Sequence, residues 1–84
     1  MKKINIDITY NTLIEKLKAS HYLDEITGIE NSSAGAATGS EALMNQGSYL
    51  LNLKHSSPSA FKLIQKQIQE YLKYCEQNGL FIRK

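Results

Sequence analysis

The chain has 84 residues, 42% apolar and 21% charged, with a formal net charge of +2; that fits one domain and excludes a cofactor domain joined to a substrate domain. The single cysteine, Cys75, excludes an internal disulfide and a thiolate zinc cluster, and apolar runs as short as Tyr49-Leu50-Leu51 exclude a membrane-spanning helix. Asn5 and Asp7 break the apolar stretch that a secretory leader would need after Met1-Lys2-Lys3, so a cytosolic location is expected.

Ile4, Ile6 and Ile8 alternate with Asn5 and Asp7; this period of two predicts a short strand or extended arm. From Tyr10 the period lengthens. Tyr10, Leu13, Ile14, Leu17 and His21 fall on one helical face, with His21 read as a half-buried packing residue. A second short helix is expected over about Tyr22 to Ile29, bringing Tyr22, Ile26 and Ile29 together, with Asp24 and Glu25 favourably placed against the positive end of its dipole. Residues 31–40 contain no charge and no large apolar side chain and read as a loop.

That loop ends in Thr38-Gly39-Ser40-Glu41, a capping box in which Thr38 accepts from the amide of Glu41 and Glu41 reaches back to that of Thr38. The helix that follows, about 39–54, spreads Ala42, Leu43, Met44, Tyr49, Leu50, Leu51 and Leu53 over more than half its girth and leaves Glu41, Asn45, Ser48 and Asn52 as a narrow polar strip. A helix so apolar is expected to be surrounded by others, which makes it the central helix, and Gly47 would let another backbone come close. Lys54 to Ser57 read as a turn, with Ser57 as N-cap and Pro58 at the first position of a last helix running to about Asn78. Its core stripe is Phe61, Ile64, Ile68, Tyr71, Leu72 and Cys75, closed by Gly79 and Leu80. Leu80, Phe81 and Ile82 then fold back or pair with the Ile4–Ile8 arm as one small ladder. The fold class is a single all-α domain of three or four helices over residues 1–84, with short extended termini.

Gly35-Ala36-Ala37-Thr38-Gly39-Ser40 resembles an anion cradle, since free amides at a helix start favour phosphate, but it lacks the Gly-Lys-Ser/Thr of a phosphate-binding loop, and a capped loop is the simpler reading. Gly47-Ser48 resembles the turn of a helix-turn-helix, but the flanking pattern continues as one helix and lacks groove-facing basic residues. Neither His21 nor His55 has a ligand partner at metal-binding spacing, Cys75 lies on a core stripe, and no acid/base pair or nucleophile motif is visible. No catalysis, metal or cofactor is expected.

Surface features remain. Residues 54–84 carry six basic and two acidic side chains, and Lys62, Lys66 and Lys73 form one stripe of the last helix. Such a stripe can meet phosphates or an acidic protein face. Leu63, Gln67, Glu70 and Tyr74 read as lying opposite the core stripe, with Leu63 and Tyr74 as apolar anchors inside a charged rim. Together with Glu41 and Asn45 of the central helix, Lys62, Leu63, Lys66, Lys73 and Tyr74 are the candidate partner-binding residues. A homodimer is compatible with the same face.

Thr38-Gly39-Ser40-Glu41-Ala42-Leu43-Met44, followed by Tyr49-Leu50-Leu51-Asn52-Leu53, resembles a pattern in small bacterial immunity proteins, the cytosolic inhibitors paired with contact-dependent growth-inhibition toxins. The resemblance covers about residues 37–54. It implies a compact helical protein that binds and blocks one cognate toxin domain, and it carries over no toxin-contact residue. Inhibitors of nucleases are often acidic, and the net charge of +2 departs from that. The alternative from another class is a small nucleic-acid-binding regulator that uses Lys62, Lys66 and Lys73.

Overall fold

Asn5, in extended backbone, accepts hydrogen bonds on its side-chain oxygen from the amides of Asp7 (3.0 Å) and Ile8 (3.3 Å), an N-cap that starts a helix where alternation suggested a strand. The computed structural model describes residues 4–80 and residue 82. Among these it contains four helices, α1 (Ile6–Ala19), α2 (Leu23–Ser33), α3 (Gly39–Ser56) and α4 (Pro58–Gln77), and no strand. The all-α class is therefore the observed one, while the ladder between the termini is not formed among the described residues. Ile6 opens the helical stripe Ile6, Thr9, Tyr10, Leu13, Leu17, whose buried Thr9 is polar and so hides the helical period at its first turn. Ile4 and Asn5 alone precede the helix. Leu80 and Ile82 are non-helical and pack onto the core; Phe81 and Met1-Lys2-Lys3 lie outside the described residues.

Helix α1 carries Asp7 in its first turn and Lys16 and Lys18 in its last, charges that oppose its dipole. It ends through His21, which has φ 64°, while the amides of His21 and Tyr22 donate to the carbonyls of Lys18 (3.1 Å) and Leu17 (2.9 Å). This is the left-handed helix stop that glycine usually makes. His21 is exposed rather than half-buried, because the reversal carries it off the stripe that Leu13 and Leu17 occupy. In α2 the hydroxyls of Ser32 and Ser33 donate to the carbonyls of Ile29 (2.6 Å) and Glu30 (3.3 Å). These local bonds keep the serines helical, so the expected ten-residue loop shrinks to residues 34–38. Thr38 accepts from the amide of Glu41 at 3.1 Å, and the Glu41 side chain stays exposed.

Helix α3 runs unbroken through Gly47 to Ser56, which removes the helix-turn-helix reading and reduces the expected turn to one residue. Ser57 ends α3 and precedes Pro58, the first residue of α4. Its hydroxyl makes no cap bond and instead donates to the Glu25 carboxylate at 2.8 Å, tying α2 to the α3–α4 junction. Helix α4 is kinked at Ile64 (φ −114°, ψ 16°), without a proline or glycine there. It closes on Gly79 (φ 76°), where the amides of Gly79 and Leu80 donate to Glu76 (3.0 Å) and Cys75 (2.8 Å), as the sequence indicates.

Helix α4 packs against α1 and α3, while α2 packs against α3 and α1, closing a ring of neighbours around one core. That core is Leu13 and Leu17 of α1, Ile29 of α2, Leu50 and Leu53 of α3, and Ala60, Ile64, Ile68, Tyr71 and Cys75 of α4. The central place expected for α3 belongs equally to α4. Met44 is exposed and Leu51, at the edge of a groove shared with α4, is half-buried, because no fifth helix among the described residues covers this side of α3. Gly47 does admit a close neighbour, as expected, but a side chain: a Cβ there would collide with Ile82 and stand 3.6 Å from Leu72. Gly28 does the same for the Tyr49 phenol.

Candidate functional site

Two polar constellations interrupt this core. The first centres on Gln46. Its Oε1 accepts from the Tyr71 hydroxyl at 2.8 Å, and its Nε2 donates to the Ile29 carbonyl at 3.4 Å. One α3 carboxamide thus joins α2, α3 and α4. Burial pushes the Tyr71 phenol well above its ordinary range, helped by nearby Cys75, Tyr10 and Tyr74. The Tyr10 phenol is also raised, by burial and then by the Glu30 charge, against a smaller lowering by the polar Gln46 side chain. Burial likewise raises the Cys75 thiol. Each shift favours the protonated form, which makes a poor base or nucleophile, so this constellation acts as a joint between helices. Among the described residues, no group of three or more His, Cys, Asp or Glu side chains is placed to hold a metal ion.

The second constellation is a groove of about 540 Å³ between α1 and α4. Helix α1 contributes Ile8 and Thr9, Ile4 just before it adds a third side chain, and α4 contributes Lys66, Gln67, Glu70 and Lys73. Thr9 and Gln67, each only 6% exposed, are the buried polar side chains among the described residues, and both line this groove. Gln67 Oε1 is fully enclosed and accepts no hydrogen bond among the described residues. Above this polar floor stand exposed Lys66 and Lys73, half-buried Glu70 and Ile8, which is 63% exposed.

The candidate residues read from the sequence divide accordingly. Lys66 and Lys73 meet at this groove. Lys62 borders a separate hollow near Lys54 and Phe61. At about 100° per residue, Lys62, Lys66 and Lys73 lie opposite the buried face of α4. Leu63, Glu70 and Tyr74 do not: they flank that face, Gln67 lies within it, and the outward placement expected for all four is corrected. Leu63 is 36% exposed, Tyr74 is half-buried and Gln67 is in the core. Glu41 and Asn45 are exposed on the outer strip of α3 and do not line the groove.

Gln67 and Thr9 escaped the sequence reading because a polar residue on a core stripe is scored as surface. The signal was positional: Gln67 follows Ile64 by three residues and precedes Tyr71 by four, the spacing of a shared helical face. A further groove of about 350 Å³ separates α3 from α4, with Leu51, Phe61 and Leu72 along it. Comparison with protein-family models, curated proteins and solved structures finds no match to this chain.

Proposed function

We propose that this chain is a non-catalytic protein-binding module of the immunity type, which inhibits a cognate bacterial toxin domain in the cytoplasm by docking it on the face that α1 and α4 share. The observation that supports this reading most directly is the mixture on that face. Ile8 is an exposed apolar side chain, and Lys66 and Lys73 border the same groove as Ile8. An apolar centre within a charged rim is the usual anatomy of a non-obligate protein interface. The resemblance of residues 37–54 to immunity proteins supplies the class of partner.

The test searches the reading frames beside this gene for a toxin-like domain and produces that domain together with this chain. Co-expression should protect cells from that domain, and Ile8→Asp should abolish protection while the variant keeps the parental melting temperature, since the side chain it replaces is exposed. A neighbouring domain that neither binds the chain nor is neutralised by it refutes the proposal.

The alternative regulator reading draws on the exposed stripe of Lys62, Lys66 and Lys73. Glu70 and Glu76 interrupt its charge, which favours a protein partner. A gel shift with duplex and single-stranded DNA and RNA at low salt separates the two, because phosphate neutralisation gives affinity that falls steeply with salt.

A further inference from the structure

The α1–α4 groove has a feature that a docking face alone does not require. Buried polar groups in folded proteins are nearly always hydrogen-bonded, and an enclosed carboxamide oxygen without a partner is destabilising. Gln67 Oε1 is such an atom. Thr9, the other buried polar side chain among the described residues, lines the same groove across the helix interface. The two belong to different helices and meet in one groove.

From this floor and its rim we infer that the groove is a binding site for an extended acidic peptide segment, held by main-chain hydrogen bonds to Thr9 and to the Gln67 carboxamide, which turns out of its enclosed position to meet it, and by its carboxylates on Lys66 and Lys73. A carboxamide and a hydroxyl each donate and accept, which matches the alternating N–H and C=O groups of an extended backbone. The floor therefore does not demand a single ligand atom type, as a phosphate cradle would. Charge selects the sign of the side chains. Lys66 and Lys73 stand at the rim, and Glu70, one turn from each along α4, offsets one positive charge and leaves one in excess. Ile4 and Ile8 provide an apolar wall on the α1 side, which suits a peptide better than a free anion. This inference rests on the proposed protein-binding function and adds the chemistry of the bound segment.

The experiment is a titration of the full chain, labelled with ¹⁵N, with an acetylated and amidated tetraglutamate peptide, followed on the Gln67 side-chain amide and the Thr9 backbone amide. Both signals should shift saturably, with the shift falling as salt rises, and a tetralysine peptide should leave them in place. Gln67→Leu should weaken tetraglutamate binding about tenfold, as expected for loss of one buried hydrogen-bonding partner, while its melting temperature equals or exceeds that of the parent because the unpartnered amide is gone. The double variant Lys66→Ala/Lys73→Ala, altered only at exposed positions, should lose the salt dependence and keep the fold.

The inference is overturned if tetraglutamate moves neither signal at millimolar concentration, or if Gln67→Leu binds it as the parent does. A fall of several degrees in the melting temperature of Gln67→Leu also overturns it, since the carboxamide is then an internal structural group. Inorganic phosphate or an oligonucleotide that reproduces the same shifts at lower concentration overturns it in favour of an anion site. The two readings fail separately. A cognate toxin domain that binds without moving Gln67 sinks the groove assignment alone, whereas a groove that takes tetraglutamate in a chain that binds no neighbouring toxin sinks only the immunity function.

Discussion

Gly28 offers the most direct test of how α2 and α3 meet. It lies inside α2 (Leu23–Ser33), and a Cβ built there would collide with the oxygen and ring of Tyr49, a half-buried residue of α3 packed against the core. At an unobstructed helix-interior site, Gly→Ala stabilises by about 0.5–1 kcal/mol. Forcing an extra methyl into a packed contact costs about 1–3 kcal/mol. Gly28→Ala should therefore lower stability by about 0.5–2 kcal/mol, the phenol being displaced at the expense of its own packing. In a Tyr49→Leu background the ring atoms that cause the collision are absent, and the same Gly28→Ala change should stabilise by about 0.5–1 kcal/mol. The sign reverses, and the coupling between the two sites should be about 1–3 kcal/mol. Urea unfolding of the four proteins of this cycle, followed by circular dichroism, measures it directly. If Gly28→Ala stabilises the parent as much as it stabilises Tyr49→Leu, the close approach of α2 to Tyr49 is wrong.

Leu50 is wholly buried in α3, and Leu50→Asp places a carboxylate in the core without a partner, which should cost several kcal/mol; a variant melting within a degree or two of the parent would contradict the core assignment. Tyr71→Phe removes the hydroxyl that donates to Gln46 at 2.8 Å and should cost about 1 kcal/mol at neutral pH. The same phenol sets an alkaline dependence. Its folded pKa is raised by burial, so its contribution is intact below the unfolded value of about 10 and is lost as pH rises beyond it. Between neutral pH and the alkaline range, stability should fall less steeply in Tyr71→Phe than in the parent, and denaturant midpoints measured across that range check the difference; equal slopes would mean the phenol is not held neutral in the fold.

What the sequence determined by itself is the helical class and the helix signals that act over a single turn. Thr38 before α3, Pro58 at the start of α4 and Gly79 with Leu80 at its end work through local backbone geometry and hydrogen bonds, which neighbouring residues alone specify. The stripe through Ile64, Ile68, Tyr71 and Cys75 was readable for the same reason: apolar residues at helical spacing bury together. The lysine stripe of α4 was also legible, since charged side chains opposite a buried face have no alternative to solvent. Only the tertiary structure decided what lies beside what. Alternation at Ile4, Ile6 and Ile8 pointed to a strand, yet the Asn5 cap and a core position at Thr9 make it helix, because the helix gains its stability from packing on α4. Gln67 and Thr9 are polar residues at buried positions, and no local rule distinguishes them from surface residues. Their shared groove exists because α1 and α4 are neighbours in space though some fifty residues apart in sequence, a separation across which sequence periodicity carries no information.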